Sequence, residues 1–366
     1  MIKDLIVKCM SFLPLKNTII FESNPDFSDN TYWLFKYLVE EKHIQDSYKL
    51  VWFMADISKR RDSLCGAPII CVDHTDDSIK NLFVKLYYLM TAKIIIDCNR
   101  FVHKRKKEQV RIHLTHGMPI KNCDIYLKGL GECDVLTVMS DSFIPMFSSY
   151  VNPKNIYSFG LCRNEVLCEN HPAKGFIFWM PTYRQHKKDT GNNVGTAKFP
   201  LGIPILKSEK ELGELDAYLE EKNMKLLLRM HPAQDLSFFK VEKHKNIIIA
   251  DDDFLQQYNI QLYELLSYSD ALITDYSSVY YDYLLINRPI GLTIEDEEEY
   301  RKEYGLLYGD LKEELPGYYI DTISDLKDFI NFNETSRKEL KSFGEKFKIE
   351  PFESCEIIYK YIKSKL

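Results

Sequence analysis

Three polar clusters hold most of the residues in this sequence that could do chemistry. The first is Thr115-His116-Gly117-Met118-Pro119-Ile120-Lys121, the second Arg229-Met230-His231-Pro232, the third Thr274-Asp275-Tyr276-Ser277-Ser278. An imidazole titrates near neutrality and suits removal of a proton from a hydroxyl. A guanidinium beside a second imidazole suits neutralising phosphate oxygens. Paired serines at a helix start offer hydroxyls and free backbone N–H groups to an anion. Together the parts describe a phosphate-bearing donor, an acceptor hydroxyl and a base, with no metal cage built in. Each also has a plainer reading. Asp275 or Ser277 could be a helix N-cap, Arg229 with His231 a buried ion-pair or hydrogen-bond network, and His116 a turn cap. The joint pattern is harder to dismiss than any member.

Other chemistries lack their residues. No GxxxxGK[ST] phosphate loop occurs, which disfavours an ATP-driven kinase. Gly129-Leu-Gly131 begins a dinucleotide fingerprint, but Asp134 stands where the third glycine is needed. HExxH and GxSxG are absent. His113 and His116 are three apart at a strand end, on opposite faces of an extended chain, so a metal pair is not expected. The acidic clusters Asp251–Asp253 and Glu295–Glu299 could attract cations, but solvated loops and helix starts explain them. The 366 residues carry 48 Lys+Arg against 54 Asp+Glu, a net charge of −6 that argues against a nucleic-acid partner. Nine cysteines without a CxxC pair read as reduced thiols of a cytoplasmic protein. No apolar run approaches the ~18–20 residues that span a bilayer. The N-terminal apolar stretch is interrupted by Lys8 and lacks a small-residue cleavage site, so no signal peptide is expected.

The elements that must position these clusters alternate in type. Strands are predicted at Thr18–Glu22, Tyr48–Met54, Lys93–Asp97, Arg111–Thr115, Val135–Val138 and Ile156–Phe159, with helices at Asn30–Lys42, Asp77–Met90 and Asp141–Tyr150. After a polar stretch at Leu167–Gly175 the pattern restarts. Strands follow at Phe176–Met180, Lys225–Arg229, Asn246–Ala250, Ala271–Thr274 and Ile290–Leu292, with helices at Leu206–Lys222, Gln261–Tyr268 and Ser278–Ile286. Buried strands with intervening helices predict parallel sheets covered on both faces. The α/β chain therefore reads as two doubly wound, Rossmann-like domains facing a central cleft, residues 1–169 and 170–350. An amphipathic helix at 351–366 can pack on either domain. Each polar cluster directly follows a strand, and ligands of open α/β sheets bind outside the carboxyl ends of strands. The three clusters are expected to meet in one crevice. Gln185–Pro204 reads as a long functional loop. The first fifteen residues form an apolar helix flanked by Lys3, Lys8 and Lys16, which suits an anionic membrane surface or docking on the first sheet equally well. The basic stretch Arg100–Arg111 tilts toward a membrane or polyanion contact.

These clusters, in this order, resemble the CDP-glycerol glycerophosphotransferase family: the teichoic-acid primases and polymerases and their capsule-building relatives. The family's H-G-T/S-P-L/I-K reads here as His116-Gly-Met-Pro-Ile-Lys121, its G-x-P-R-N-D as Gly160-Leu-Cys-Arg-Asn-Glu165, and its P-T-W/F-R as Pro181-Thr-Tyr-Arg184. Its R-x-H-P is Arg229-Met-His-Pro232, and L-I-T-D-Y-S-S-x-x-x-D-Y is matched without a break by Leu272–Tyr283. Matches run from Phe21-Glu22-Ser23 through Leu315-Pro316-Gly317.

The resemblance implies a GT-B-like enzyme that moves a polyol phosphate from CDP-glycerol or CDP-ribitol to a hydroxyl of a lipid-linked or polysaccharide acceptor, releasing CMP. It implies no tightly bound cofactor and no metal, and a cytoplasmic place at the inner face of the membrane. Carried over position by position, His116 would be the general base, and His231 with Arg229 would steady the pyrophosphate or leaving group. Thr115, Gly117, Met118, Pro119, Arg163, Pro181, Thr182, Met230, Ser277, Ser278 and Asp282 would line the donor site, supported by Lys121, Arg184 and Asp275. Met118, Cys162 and Glu165 depart from the family pattern. The two-domain length, without the extra region of some polymerases, favours transfer of one or few units. A nucleotide-sugar glycosyltransferase on the same scaffold is the alternative, and a non-enzymatic assembly scaffold at the membrane surface is the third reading.

Overall fold

A computed structural model of the chain describes residues 10–76, 78–122, 127–169, 171–182, 199–230, 244–331 and 337–365. The chain divides into two compact units. The first comprises Met1–Met118, Asp124–Glu165 and Pro351–Leu366, and the second Pro119–Cys123 and Val166–Glu350.

The first unit is built on a parallel sheet of β1 (Lys16–Glu22), β2 (Lys49–Met54), β5 (Ile70–Asp73), β6 (Ala92–Asp97), β7 (Val110–Leu114), β8 (Val135–Thr137) and β9 (Ile156–Tyr157). A small hairpin of β3 (Ser63–Leu64) and β4 (Ala67–Pro68) stands apart from it. The sheet order is β5-β2-β1-β6-β7-β8-β9. Successive side chains of a strand point to opposite faces, and here both faces are apolar. Ile19, Phe21, Trp52, Met54, Ile94 and Ile96 enter one core, under the helices Asp29–Glu40 and Ser354–Ser364. Ile20, Val51, Phe53 and Ile95 enter the other, with Leu86 and Leu89 of the helix Ile79–Thr91.

The second unit repeats the plan with β10 (Phe176–Met180), β11 (Lys225–Leu228), β12 (Ile247–Ile249), β13 (Ala271–Thr274), β14 (Ile290–Leu292) and β15 (Tyr318–Tyr319), ordered β12-β11-β10-β13-β14-β15 and parallel throughout. The helices Glu209–Glu221 and Ile323–Ile330 bury Leu212, Leu215, Leu219, Leu326 and Phe329 against Ile177, Trp179, Leu226, Leu228 and Ile273.

The predicted strands fall on the apolar runs, and four further short strands are present: β3, β4 and β15 have two residues each and β5 has four, too few for a legible period. Two helices differ. The stretch 141–150 forms a 3-10 turn, Asp141–Phe143, and a single α turn, Ile144–Phe147, because Pro145 fits only a first turn and the Ser148 hydroxyl returns to the Ile144 carbonyl. The helix expected from Leu206 starts at Glu209, where Ser208 and Glu211 form a reciprocal capping box. The loop expected at Gln185–Pro204 lies outside the described residues up to 198. Its end is not polar at all: Phe199, Leu201 and Ile203 are buried. Residues 1–9 of the expected N-terminal helix also lie outside the described residues, while Met10 packs against the second core of the first unit.

Candidate active site

The order of the first sheet reverses between β1 and β6. In open α/β sheets such a switch point leaves a crevice at the strand carboxyl ends. The chain leaving β1 passes Ser28 and enters a helix at Asp29, which takes a left-handed backbone conformation with φ of 60°. That conformation costs a non-glycine residue about 1–2 kcal/mol, and the bonds made there offset it. Asp29 Oδ2 accepts from His116 Nδ1 at 2.5 Å, and Oδ1 accepts from the Arg163 guanidinium at 2.6 Å and from the Asn30 N–H at 2.7 Å. Asn30 donates to the Thr115 carbonyl at 2.9 Å and accepts from the Arg163 N–H at 3.0 Å. One dipeptide thus fixes the loop after β7 and the segment after β9. The Asp29 and Arg163 side chains are 7% and 2% exposed, whereas the His116 ring is 61% exposed. Burial by itself would raise the Asp29 carboxyl, but the Arg163 guanidinium and His116 override it and hold it well below the usual carboxylate range.

Around this group lie residues whose places differ from expectation. The Thr115 hydroxyl donates to the Thr137 carbonyl, which leaves it a part in shaping the loop. Met118 was expected to line the donor site, but it is fully buried and presents no surface. Arg163 was expected there too; its guanidinium is turned inward onto Asp29. Cys98 is buried close by, and its thiol is pushed well up by that burial and by the Asp29 charge. Asp29, Cys98 and His116 offer ligand atoms within 4.8 Å of one another. Arg163 and His116 both pair with the Asp29 carboxylate, which makes these three an ion-pair network.

The second sheet reverses between β10 and β13, and there Asp275 accepts from the Thr182 N–H at 3.0 Å and from its hydroxyl at 3.1 Å. Asp275 therefore fixes the buried Pro181-Thr182 turn and is not a helix cap. Ser277 and Ser278 follow at partly exposed positions. Asp282, expected in the donor lining, accepts from the Tyr263 hydroxyl and is fully buried. At the end of β11 the Arg229 guanidinium donates to the Ala250 carbonyl at 2.9 Å and to Asp252 at 2.6 Å. The acidic cluster 251–253 is thereby explained: Asp251 caps the helix Asp252–Gln257, and Asp252 orients Arg229. Met230 is buried in the core of this unit. His231 and Arg184 lie outside the described residues.

Lys121, buried Pro119 and the residues between them belong to the second unit. Ile120 and Asn122 exchange backbone hydrogen bonds with Leu307 and Gly305, and the Lys121 amine reaches the Tyr300 hydroxyl at 3.2 Å. Tyr300 stacks on Tyr276 at 3.8 Å, and Tyr276 donates to Asp296. The acidic stretch 295–299 is thus tied into packing: Glu295 accepts from the Ile205 N–H, and Glu297 pairs with Arg301 at 2.5 Å.

Asp29 and Asn30 are the site residues that sequence reasoning missed. Ser28-Asp29-Asn30 stands directly before an amphipathic run and has the composition of a helix start, which hides a functional carboxylate behind an ordinary local explanation. Two members of the basic stretch 100–111 are engaged internally. Arg111 is fully buried on Asp97 at 2.8 Å, and Lys104 pairs with Asp134 at 2.9 Å.

Comparison with known proteins agrees with this architecture. The chain is 26% identical over 314 residues to a teichoic acid ribitol-phosphate primase of Bacillus spizizenii, covering 73% of each chain. It is 25% identical to a teichoic acid poly(glycerol phosphate) polymerase of the same species, covering 94% of this chain and 92% of the other. It is 26% identical to a teichoic acid glycerol-phosphate transferase of Staphylococcus aureus, covering 93% and 91%. The structure of the wall teichoic acid polymerase TagF superposes with a TM-score of 0.76 at 20% identity, covering 99% of this chain and 92% of that one. A UDP-GlcNAc 2-epimerase of Methanocaldococcus jannaschii shares the fold more distantly, with a TM-score of 0.54 at 12% identity over 96% of this chain and all of the other. The model of the CDP-Glycerol:Poly(glycerophosphate) glycerophosphotransferase family matches residues 5–363, nearly the whole length, and the chain belongs to that family.

Proposed function

We propose that this enzyme transfers a polyol phosphate from a CDP-linked donor to an acceptor hydroxyl, with His116 as the general base. The acceptor oxygen attacks the donor's distal phosphorus in line and forms the new P–O bond. The bond from that phosphorus to the bridging oxygen breaks, CMP departs with the bonding electron pair, and the hydroxyl proton passes to His116. Such a reaction asks of the protein mainly positioning and charge neutralisation. The observation that carries the reading is the exposed His116 ring, fixed at a strand's carboxyl end by a buried carboxylate. Arg229, held by Ala250 and Asp252, is suited to the donor's phosphates, with His231 beside it in sequence. Gly117, Thr182, Ser277 and Ser278 complete the proposed donor lining, and Pro119, Pro181, Met230 and Asp275 support it from buried positions.

Glycerol phosphate is the proposed group, with ribitol phosphate the competing one, since relatives of both kinds match. The proposed acceptor is a lipid-linked or polysaccharide hydroxyl, in teichoic acid or capsule synthesis at the inner face of the membrane. The test is a product assay by mass spectrometry with CDP-glycerol, CDP-ribitol and a UDP-sugar. CMP from a CDP-polyol, and its loss by at least ~100-fold in His116→Ala of unchanged fold, is the expected result. UDP from the sugar donor would establish the glycosyltransferase alternative. Near-normal turnover in the His116 variant would remove that residue as base.

A further inference from the structure

We infer that Asp29 is the positioning residue of His116, setting which ring nitrogen accepts the substrate proton, with Arg163 as the counter-ion of Asp29. The inference rests on the reading of His116 as base. An ionised carboxylate can only accept hydrogen bonds. With Asp29 Oδ2 at 2.5 Å, His116 Nδ1 must therefore carry a proton, and the neutral ring keeps its lone pair on Nε2. The ring is 61% exposed, so an acceptor hydroxyl can approach it. Without the carboxylate the ring is free to hold its proton on Nε2, which blocks the base, and to rotate away from the attack line.

Two features separate this pair from a chance surface contact. The carboxylate is nearly buried and secured from behind by Arg163, whose own side chain is 2% exposed and whose backbone N–H is held by Asn30. The position is also conformationally demanding. A left-handed residue at the first turn of a helix is normally glycine or asparagine, and here an aspartate takes it with its carboxylate directed at the imidazole. Strain of this kind persists where surrounding bonds over-determine it. Arg163 completes the arrangement as a counter-ion. One guanidinium nitrogen lies 2.6 Å from Asp29 Oδ1.

The experiment uses the full chain with a CDP-polyol donor. Asp29→Asn is nearly isosteric and is expected to lower kcat by about 10²–10⁴-fold with donor KM changed less than about threefold. Arg163→Gln is expected to lower kcat as well, because the carboxylate loses its counter-ion. Nitrogen-15 NMR of the His116 ring, assigned by difference against His116→Gln, gives a readout independent of turnover. The unmodified protein should show a protonated Nδ1 and a bare Nε2 above the ring's titration, and Asp29→Asn should move population to Nε2–H. A wild-type ring protonated on Nε2, or an Asp29→Asn variant within threefold of normal kcat, overturns the inference. If His116→Ala retains activity while the NMR result holds, the base assignment fails and the positioning geometry stands.

Discussion

At the scale of single residues, the first unit keeps two carboxylates of opposite character close together. Asp29 is held ionised by Arg163 and His116. Glu22, at the end of β1, is pushed up to about 8 by burial, with the Asp97 charge adding to it against the backbone N–H donors of Arg100, Cys98 and Asn99. Its Oε2 accepts from Cys98 and Arg100 at 3.3 and 3.0 Å, and its Oε1 has no hydrogen-bond partner among the described residues. The sign of the linkage follows. Between the ordinary glutamate range near 4.5 and about 8, the folded state holds a proton that the unfolded state has released, so Glu22 makes stability fall as pH rises through that window. The limiting slope is about 1.4 kcal/mol per pH unit. Glu22→Gln should flatten the decline between pH 5 and 8. Denaturant unfolding at several pH values reads this, and an unchanged slope would mean that Glu22 ionises normally. Asp29 has the reverse sign: its contribution is present above the usual carboxylate range and fades in acid.

Among elements, the C-terminal helix and the segment after β9 depend on one glycine. Gly160 has φ of 74°, and a Cβ there would lie 2.3 Å from Ser354 Oγ and 2.8 Å from Phe352 Cβ. This is where the returning chain meets the segment that carries Arg163. Glu165 accepts from the Cys355 N–H at 2.6 Å, and Glu356 pairs with Lys42 at 2.9 Å. Gly160→Ala combines a strained φ with a clash against the Ser354 hydroxyl and the root of the Phe352 side chain, and should cost more than about 1 kcal/mol. Because the same shift displaces Arg163, turnover should fall as well. A thermal melt within 1 °C of the parent, with normal kcat, would show that the segment adapts freely. The glycine was legible as the head of a family motif. Its steric reason was not, since Ser354 and Phe352 lie almost two hundred positions further along.

For the whole molecule, no helix among the described residues is long and apolar enough to cross a membrane. Peripheral attachment remains our proposal, and its support has moved. Arg111 and Lys104 are engaged in internal ion pairs, which weakens the argument from the basic stretch. Exposed apolar side chains provide another: Phe12 is 85% exposed, and Ile79, Phe83 and Val84 stand out from the helix Ile79–Thr91 beside Lys80 and Lys85. Apolar groups flanked by lysines suit an anionic bilayer surface. Phe12→Ser with Phe83→Ser should reduce flotation with vesicles containing anionic lipid, at both low and high salt. Flotation equal to the parent would assign attachment elsewhere or to none of these residues.

The amino-acid sequence determined which stretches become buried strands, which helices cover them, and which polar residues stand at strand ends. The strands follow from continuous apolar runs and the helices from burial that repeats every three to four residues, both local properties. The match of Leu272–Tyr283 to its family signature is local in the same sense. Tertiary structure alone decided that β1 lies beside β6 and β10 beside β13, and so which strand ends border a switch point. It alone paired Asp29 with His116 and Arg163, 87 and 134 positions away. A helix-starting aspartate carries no local mark of its partners, because ion pairing depends on the distance between side chains in space and not on their separation along the chain.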